Sequence, residues 1–397
     1  MPLNRLQRRS LLLLASILVG LLVLVAIAYA VLVVRQPSHP TKQTHHTTPT
    51  VRPSVLASSP VVQNPGQILG VDGGPVPEFP GIPWTRLSYS TCVGNLTGNI
   101  LKQTIQAYHQ QGIRVLLLVC QTANDARLFD TALLDDAAQG NADAVQCGNE
   151  QMKQDPNTIF VSPENFAKFY DLCEHAIHAV RSDIPVLLGS LDPHVGGIDT
   201  QPLLDQVSYL DAVQRAMNST VHPGGTWDWH VRAIGLIDSW HNGYPNQSVN
   251  SLSALLAFWA QQFHVDLNGG ELGQHIWVIE GTGCFKGCGI DVTSSYQVAV
   301  SHILTLITDV QTATRYQIPF FYFSSRDFFA SGVAWPIGIL DMAGHPKPIR
   351  QDLPLGARKL TLSCPEGQVS VVDQQQLLTK LYNKCTLPSD YVAILTN

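Results

Sequence analysis

Charge is what this chain has least of. Only 14% of its 397 residues are Asp, Glu, Lys or Arg, against about 25% in a typical soluble protein. Its surface therefore relies on Ser, Thr, Asn and Gln, a balance common in extracellular proteins. The formal net charge is −6, and no basic stripe runs through the part that can fold. A nucleic-acid partner is thereby excluded. Also missing is a glycine-rich dinucleotide fingerprint at a strand-to-helix turn, which argues against a doubly wound open sheet, the alternative α/β architecture. Cys284 and Cys288, four apart, lack the second CxxC or HxxxH pair that a zinc site needs, so a tight disulfide loop is expected there. No metal and no organic cofactor is called for.

The one long hydrophobic run is Leu11 to Val34. Its 24 residues reach about 36 Å as a helix, enough for a hydrocarbon core of about 30 Å. Arg5, Arg8 and Arg9 precede it and only Arg35 follows closely, which puts the N-terminus in the cytoplasm and the rest outside the cell membrane. Residues 1–35 thus read as a cytoplasmic tip and single-pass anchor whose partner is the lipid membrane. Ala28-Tyr29-Ala30 also has the form of a cleavage site, and cleavage would leave a secreted protein. Residues 36–66, rich in Pro, Ser and Thr without periodicity, read as a disordered spacer.

Eight cysteines suit an oxidising exterior. Cys364 and Cys385 are placed to staple the C-terminal segment, whereas Cys120 and Cys147, inside apolar runs, read as buried thiols. From residue 67 to 354, short apolar runs alternate with amphipathic helical patterns. The strands are expected at Ile68–Val71, Thr85–Tyr89, Val115–Val119, Ala144–Cys147, Pro185–Gly189, Ala233–Ile237, Ile276–Ile279 and Pro319–Phe323. Helices are expected at Asn99–Gln110, Pro163–Arg181, Leu203–Met217, Ser251–Phe263 and Ser295–Ala313. Eight strands with intervening helices predict an α/β fold of the (β/α)8 TIM-barrel type. Only a Gly/Pro-rich loop separates the first two strands, so the first helix is missing or replaced, or the first strand lies elsewhere. Residues 355–397 form a small C-terminal extension with a helix starting near Asp373.

Two glutamates end strand-like runs: Glu150 after Ala142–Val145, and Glu280 after Ile276–Ile279. A carboxylate at the mouth of a buried strand is costly to desolvate, so placing two there points to a chemical need for the pair. Converging carboxyls suit cleavage of a glycosidic bond, one protonating the leaving oxygen and the other attacking the sugar. The plainer alternatives are a helix cap at Asn149-Glu150 and ordinary rim ion pairs at Glu280 and Arg86.

In strand order and local motifs, residues 66–350 resemble clan A of the retaining glycoside hydrolases. The residues that carry this are Asn149-Glu150 after strand four, Glu280 ending strand seven, Arg86 on strand two, and His241 and Tyr244 after strand six. The stretch Gly338-Ile339-Leu340-Asp341 with Gly344-His345-Pro346-Lys347 is similar to the strand-eight turn of β-1,3-glucanase-like members. The resemblance implies Glu150 as acid/base and Glu280 as nucleophile. It also implies an oligo- or polysaccharide substrate contacted by Asn149, with Arg86 placing the nucleophile and His241 and Tyr244 orienting it or binding the sugar. Trp335 is the chosen sugar-stacking ring. Trp227 and Trp229 read as packing residues. Transglycosylation by the same residues and a non-catalytic glycan- or envelope-binding barrel are the alternatives.

Overall fold

The computed structural model describes residues 68–73, 82–92, 96–121, 130–153, 160–192, 201–238, 251–281, 309–330, 333–335, 338–346, 360–371 and 374–386. All belong to one compact unit, Leu56–Asn397. The expected anchor Leu11–Val34, the spacer 36–66 and the Cys284–Cys288 loop lie outside the described residues. Among the described residues no helix is long and apolar enough to cross a membrane.

Eight parallel strands close into a barrel in chain order: β1 (Leu69–Asp72), β2 (Trp84–Ser88), β3 (Arg114–Val119), β4 (Ala144–Asn149), β5 (Val186–Ser190), β6 (Ala233–Asp238), β7 (Ile276–Gly281) and β8 (Phe320–Tyr322). Closure is made by β1 pairing with β8, Gly70 opposite Phe321. The helices are α1 (Gly98–Gln110), α2 (Thr131–Ala138), α3 (Pro163–Val180), α4 (Gln201–Ala216) and α5 (Ser251–Phe263), with residues 309–316 also helical. The (β/α)8 expectation holds with strand ends shifted by one or two residues. Helix α2 was not expected, and residues 74–81, between β1 and β2, lie outside the described part. At α3, Ser162 caps the N-terminus by accepting from the Asn165 N–H at 3.3 Å, with Pro163 in the first turn and Glu164 beside it.

The strands read as continuous apolar runs because both faces are buried. Val115, Leu117 and Val119 belong to the layer beneath the helices, while Leu116 joins a separate cluster in the lumen with Ile68, Trp84, Ala144, Leu187, Ala233, Trp277, Ile279 and Phe321. Trp84 meets Trp277 edge-on at 6.0 Å between centroids, and the Phe321 ring stacks on Trp277 at 6.3 Å. Gly70 leaves room for that ring, since a Cβ there would lie 2.3 Å from Phe321. Trp227 and Trp229 are fully buried packing residues, as expected.

Two disulfides correct the expectation of buried thiols. Cys120 bonds to Cys92, joining the ends of β2 and β3, and Cys147 bonds to Cys173, tying β4 to α3. An apolar sequence context reports burial but says nothing of a partner about two dozen residues away. Cys364–Cys385 pairs as expected. It holds an antiparallel hairpin, β11 (Leu360–Cys364) with β12 (Gly367–Val371), against the end of helix α6 (Gln374–Tyr382). A second hairpin pairs β9 (Phe328–Ala330) with β10 (Val333–Trp335) after the last barrel strand.

Candidate active site

Above the apolar lumen, at the C-terminal ends of the strands, the side chains become polar. Asp72, Arg86 and Gln146 lie two residues beyond lumen positions Gly70, Trp84 and Ala144 on β1, β2 and β4, so strand periodicity keeps them facing inward. Strict alternation along β7 would turn Glu280 outward. A register shift against β6, where Leu236 faces Val278 but Ile237 faces Glu280, re-aims it into this layer. On β4 the left-handed backbone of Gly148 (φ 98°) does the same for Asn149 and Glu150. A Cβ on Gly148 would also collide with Phe166 at 2.6 Å, and one on neighbouring Gly189 would meet the Gly148 carbonyl at 2.3 Å.

Arg86, 1% exposed, is the hub. Its Nη1 donates to Asp72 Oδ2 at 2.5 Å and to Glu280 Oε1 at 2.7 Å. Its Nη2 donates to Asn149 Oδ1 at 2.9 Å, and its Nε to Gln146 Oε1 at 3.1 Å. Burial alone would weaken the guanidinium's hold on its proton, but Asp72 and Glu280 reverse that and keep it charged. The Glu280 carboxyl remains 14% exposed. Asn149 Oδ1 also accepts from Gln146 Nε2 at 3.2 Å and Ser190 Oγ at 3.0 Å. Gln121, at the end of β3, clamps the Asn149 backbone, donating to its carbonyl at 2.6 Å and accepting from its N–H at 2.8 Å. With Oδ1 so engaged, the Asn149 amide is locked in orientation.

Glu150 has a left-handed backbone (φ 49°), and its N–H donates to Ser190 Oγ at 3.1 Å. Lys153 Nζ donates to Glu150 Oε1 at 3.0 Å and lies 3.9 Å from Asp192 Oδ2. The Glu150 pKa is pushed up to about 8, first by burial and then by the charge of Glu280, against the pull of Lys153. Asp72 rises to about 6 because burial and Glu280 outweigh Arg86. Among the described residues two cations thus face four carboxyl groups, and burial together with the charge of Glu280 favours the protonated form of Glu150 near neutral pH.

The structure brings Arg86, Asn149, Glu150 and Glu280 onto one rim. Expected residues His241 and Tyr244 lie outside the described residues. Trp335 sits on β10 opposite Phe328, its side chain outside the described part. Tyr322, at the end of β8, is a fully buried core residue. Reading the sequence missed Asp72, Gln146, Gln121, Ser190, Lys153 and Asp192. For Asp72 the only signal was a carboxylate directly after an apolar run. Among the described residues the one metal-like grouping is Cys364, Glu366 and Cys385, and its two cysteines are joined in a disulfide, leaving no thiolate ligand.

This is a parallel eight-stranded barrel with two glutamates at its C-terminal rim, Glu150 pushed up by burial and Glu280 held by Arg86. No protein-family model and no curated protein matches the sequence. Among solved structures the chain is similar to a glucosidase from Croceicoccus marinus, at 10% identity over 75% of this chain and 69% of that one, with a TM-score of 0.47. It is also similar to a family 39 glycoside hydrolase from the gut symbiont Bacteroides cellulosilyticus, at 12% identity over 80% and 70% of the two chains, with a TM-score of 0.43. A third is the catalytic domain of a mannanase from Streptomyces sp. SirexAA-E, at 8% identity over 80% and 91%, with a TM-score of 0.44.

Proposed function

We propose that this protein is a glycoside hydrolase that cleaves O-glycosidic bonds of an oligo- or polysaccharide with retention of configuration. The observation that carries the reading is the Arg86 guanidinium, which holds Glu280 and Asn149 at once and so fixes the acid/base residue next to Asn149 relative to the nucleophile. Glu280 attacks the anomeric carbon while Glu150 gives its proton to the leaving oxygen. Bond cleavage leaves a glycosyl ester on Glu280 and an ionised Glu150. Once Glu280 is esterified its charge is gone, which removes a principal reason for Glu150 to hold a proton. Glu150 then takes a proton from water, the hydroxide attacks the anomeric carbon, and both carboxyls return to their starting states. Asn149, with its carbonyl oxygen engaged, presents its amide donors to a sugar hydroxyl beside the reacting carbon.

We further propose that the barrel works outside the cell, held at the membrane by the Leu11–Val34 segment. Three disulfides among the described residues support an oxidising compartment.

The test is turnover of a panel of aryl β-glycosides and β-glucans by the purified protein, beside Glu280→Gln and Glu150→Ala. The expected result is hydrolysis abolished by Glu280→Gln and, in Glu150→Ala, recovered with azide on substrates with good leaving groups. Silence across the panel by a folded protein that still binds glycans would replace the enzyme with a binding barrel.

A further inference from the structure

Lys153 is not part of the two-carboxylate machinery, yet it is built into it. The turn that begins at Glu150 is closed by the Lys153 N–H donating to the Glu150 carbonyl at 2.9 Å, which brings the lysine side chain back over the glutamate. The neighbouring Met152 N–H bonds to the Leu191 carbonyl at 3.2 Å, tying this turn to the end of β5, where Asp192 follows. Lys153 is 13% exposed and the Asp192 side chain 0%. A nearly buried ammonium therefore sits between a carboxylate that fixes it and the carboxyl proposed to act as acid/base.

We propose that Lys153, steadied by Asp192, is a positioning residue that occupies Oε1 of Glu150 and so confines the transferable proton to Oε2. The reason is donor inventory. An ammonium has three N–H donors and no acceptor, so an oxygen that accepts from Lys153 is the poorer place for the carboxyl's own proton. After the proton leaves, the same contact becomes charge-assisted and stabilises the carboxylate until it takes a proton from water. This assignment rests on Glu150 being the acid/base.

Among the described residues, the charged and titratable groups that face Glu150 are Lys153 on its own turn, Asp192 after β5 and Glu280 on β7, with Arg86 of β2 bonded to the adjacent Asn149. Removing Lys153 takes away a positive charge and removing Asp192 takes away a negative one, so the two changes must move Glu150 in opposite directions. A purely structural role would not produce opposite shifts.

The experiment titrates the Glu150 carboxyl by carbon-13 NMR in protein labelled at the glutamate side-chain carboxyl, the resonance being assigned by Glu150→Gln. Wild type is compared with Lys153→Met, Lys153→Arg and Asp192→Asn. The midpoint should rise by about one pH unit in Lys153→Met, fall in Asp192→Asn, and stay near wild type in Lys153→Arg. In parallel, kcat/KM for an aryl glycoside with a poor leaving group should fall about tenfold in Lys153→Met. For a dinitrophenyl glycoside, whose departure needs no proton, it should hold within about threefold. Midpoints that stay put, or move the same way in Lys153→Met and Asp192→Asn, would overturn the role of Lys153. If Lys153→Met does not fold, Asp192→Asn alone decides by the sign of its shift. Absence of turnover in wild type overturns the hydrolase reading separately, because the NMR titration needs no substrate.

Discussion

Two buried arginines sit at opposite ends of the barrel, and their surroundings differ in one respect. Arg232 immediately precedes β6, at the N-terminal end. It pairs with Glu174 of α3, its guanidinium stacks over Trp227 at 5.6 Å, and Tyr170 donates to the same glutamate at 3.3 Å. One cation meets one carboxylate, whose side chain is 13% exposed. Arg86, at the C-terminal end, meets two carboxylates, and of these Glu280 is about as exposed as Glu174, at 14%. The balanced pair has nothing left over, so it does structural work, as expected at the N-terminal face of a barrel. The surplus carboxylate at the other face is a cost to the fold that makes sense as chemistry. Elsewhere, Asp238 at the end of β6 and Asp309 lie side by side, and burial pushes both up, Asp238 to about 7. Inside this barrel, burial is what first raises a carboxyl, and a neighbouring cation opposes it.

The largest effect should come from breaking the end with the surplus carboxylate. Glu280→Gln keeps the hydrogen bonding shape and removes the nucleophile. It should lower kcat/KM by about 10⁴-fold or more while the melting temperature stays within a few degrees, read by steady-state kinetics and calorimetry. Breaking the balanced end should do the reverse. Arg232→Met strands Glu174 and should cost about 3–5 kcal/mol in denaturant titration, with kcat per folded molecule unchanged. Adding Glu174→Leu should recover much of that loss.

The buried Asp238–Asp309 pair gives a test with a definite sign. The folded-state value of Asp238 lies above its unfolded value of 3.8, so its contribution to stability is complete below that pH. Between 3.8 and about 7 the unfolded chain ionises while the folded chain must stay protonated. Stability should therefore fall as pH rises through that window, by on the order of 3 kcal/mol. Asp309→Asn, which replaces the like-charged neighbour by an amide, should flatten the slope in urea unfolding curves taken across the window. The mildest change is Arg86→Lys, which keeps the charge but loses the fork that reaches Asn149 and Glu280 together. It should lower kcat about a hundredfold with little effect on folding. A further expectation, set by the raised value of Glu150 near 8, is that kcat/KM falls above about that pH.

Much of this was legible before the coordinates. Strands buried on both faces read as apolar runs, so all eight were visible, and Glu150 and Glu280 stood out as carboxylates ending such runs. Asn149 and Arg86 followed from the resemblance in strand order. Asp72 was not legible, although it also ends an apolar run, because no adjacent motif singled it out. Lys153 and Asp192 come together only through the turn after β4 and the end of β5, a tertiary meeting that spacing cannot show. The pairings Cys92–Cys120 and Cys147–Cys173 were hidden for the same reason. The C-terminal hairpin escaped notice because β12 is largely exposed and Gln368, Ser370 and their neighbours carry little strand patterning.

The most direct test of the central claim is to trap the glycosyl ester. The protein is incubated with a panel of 2-deoxy-2-fluoroglycosyl fluorides, digested, and examined by mass spectrometry. The account predicts a single sugar adduct on the peptide containing Glu280, absent in Glu280→Gln. Catalytic hydrolysis of matching glycosides with no adduct, or with the adduct on another residue, would contradict it.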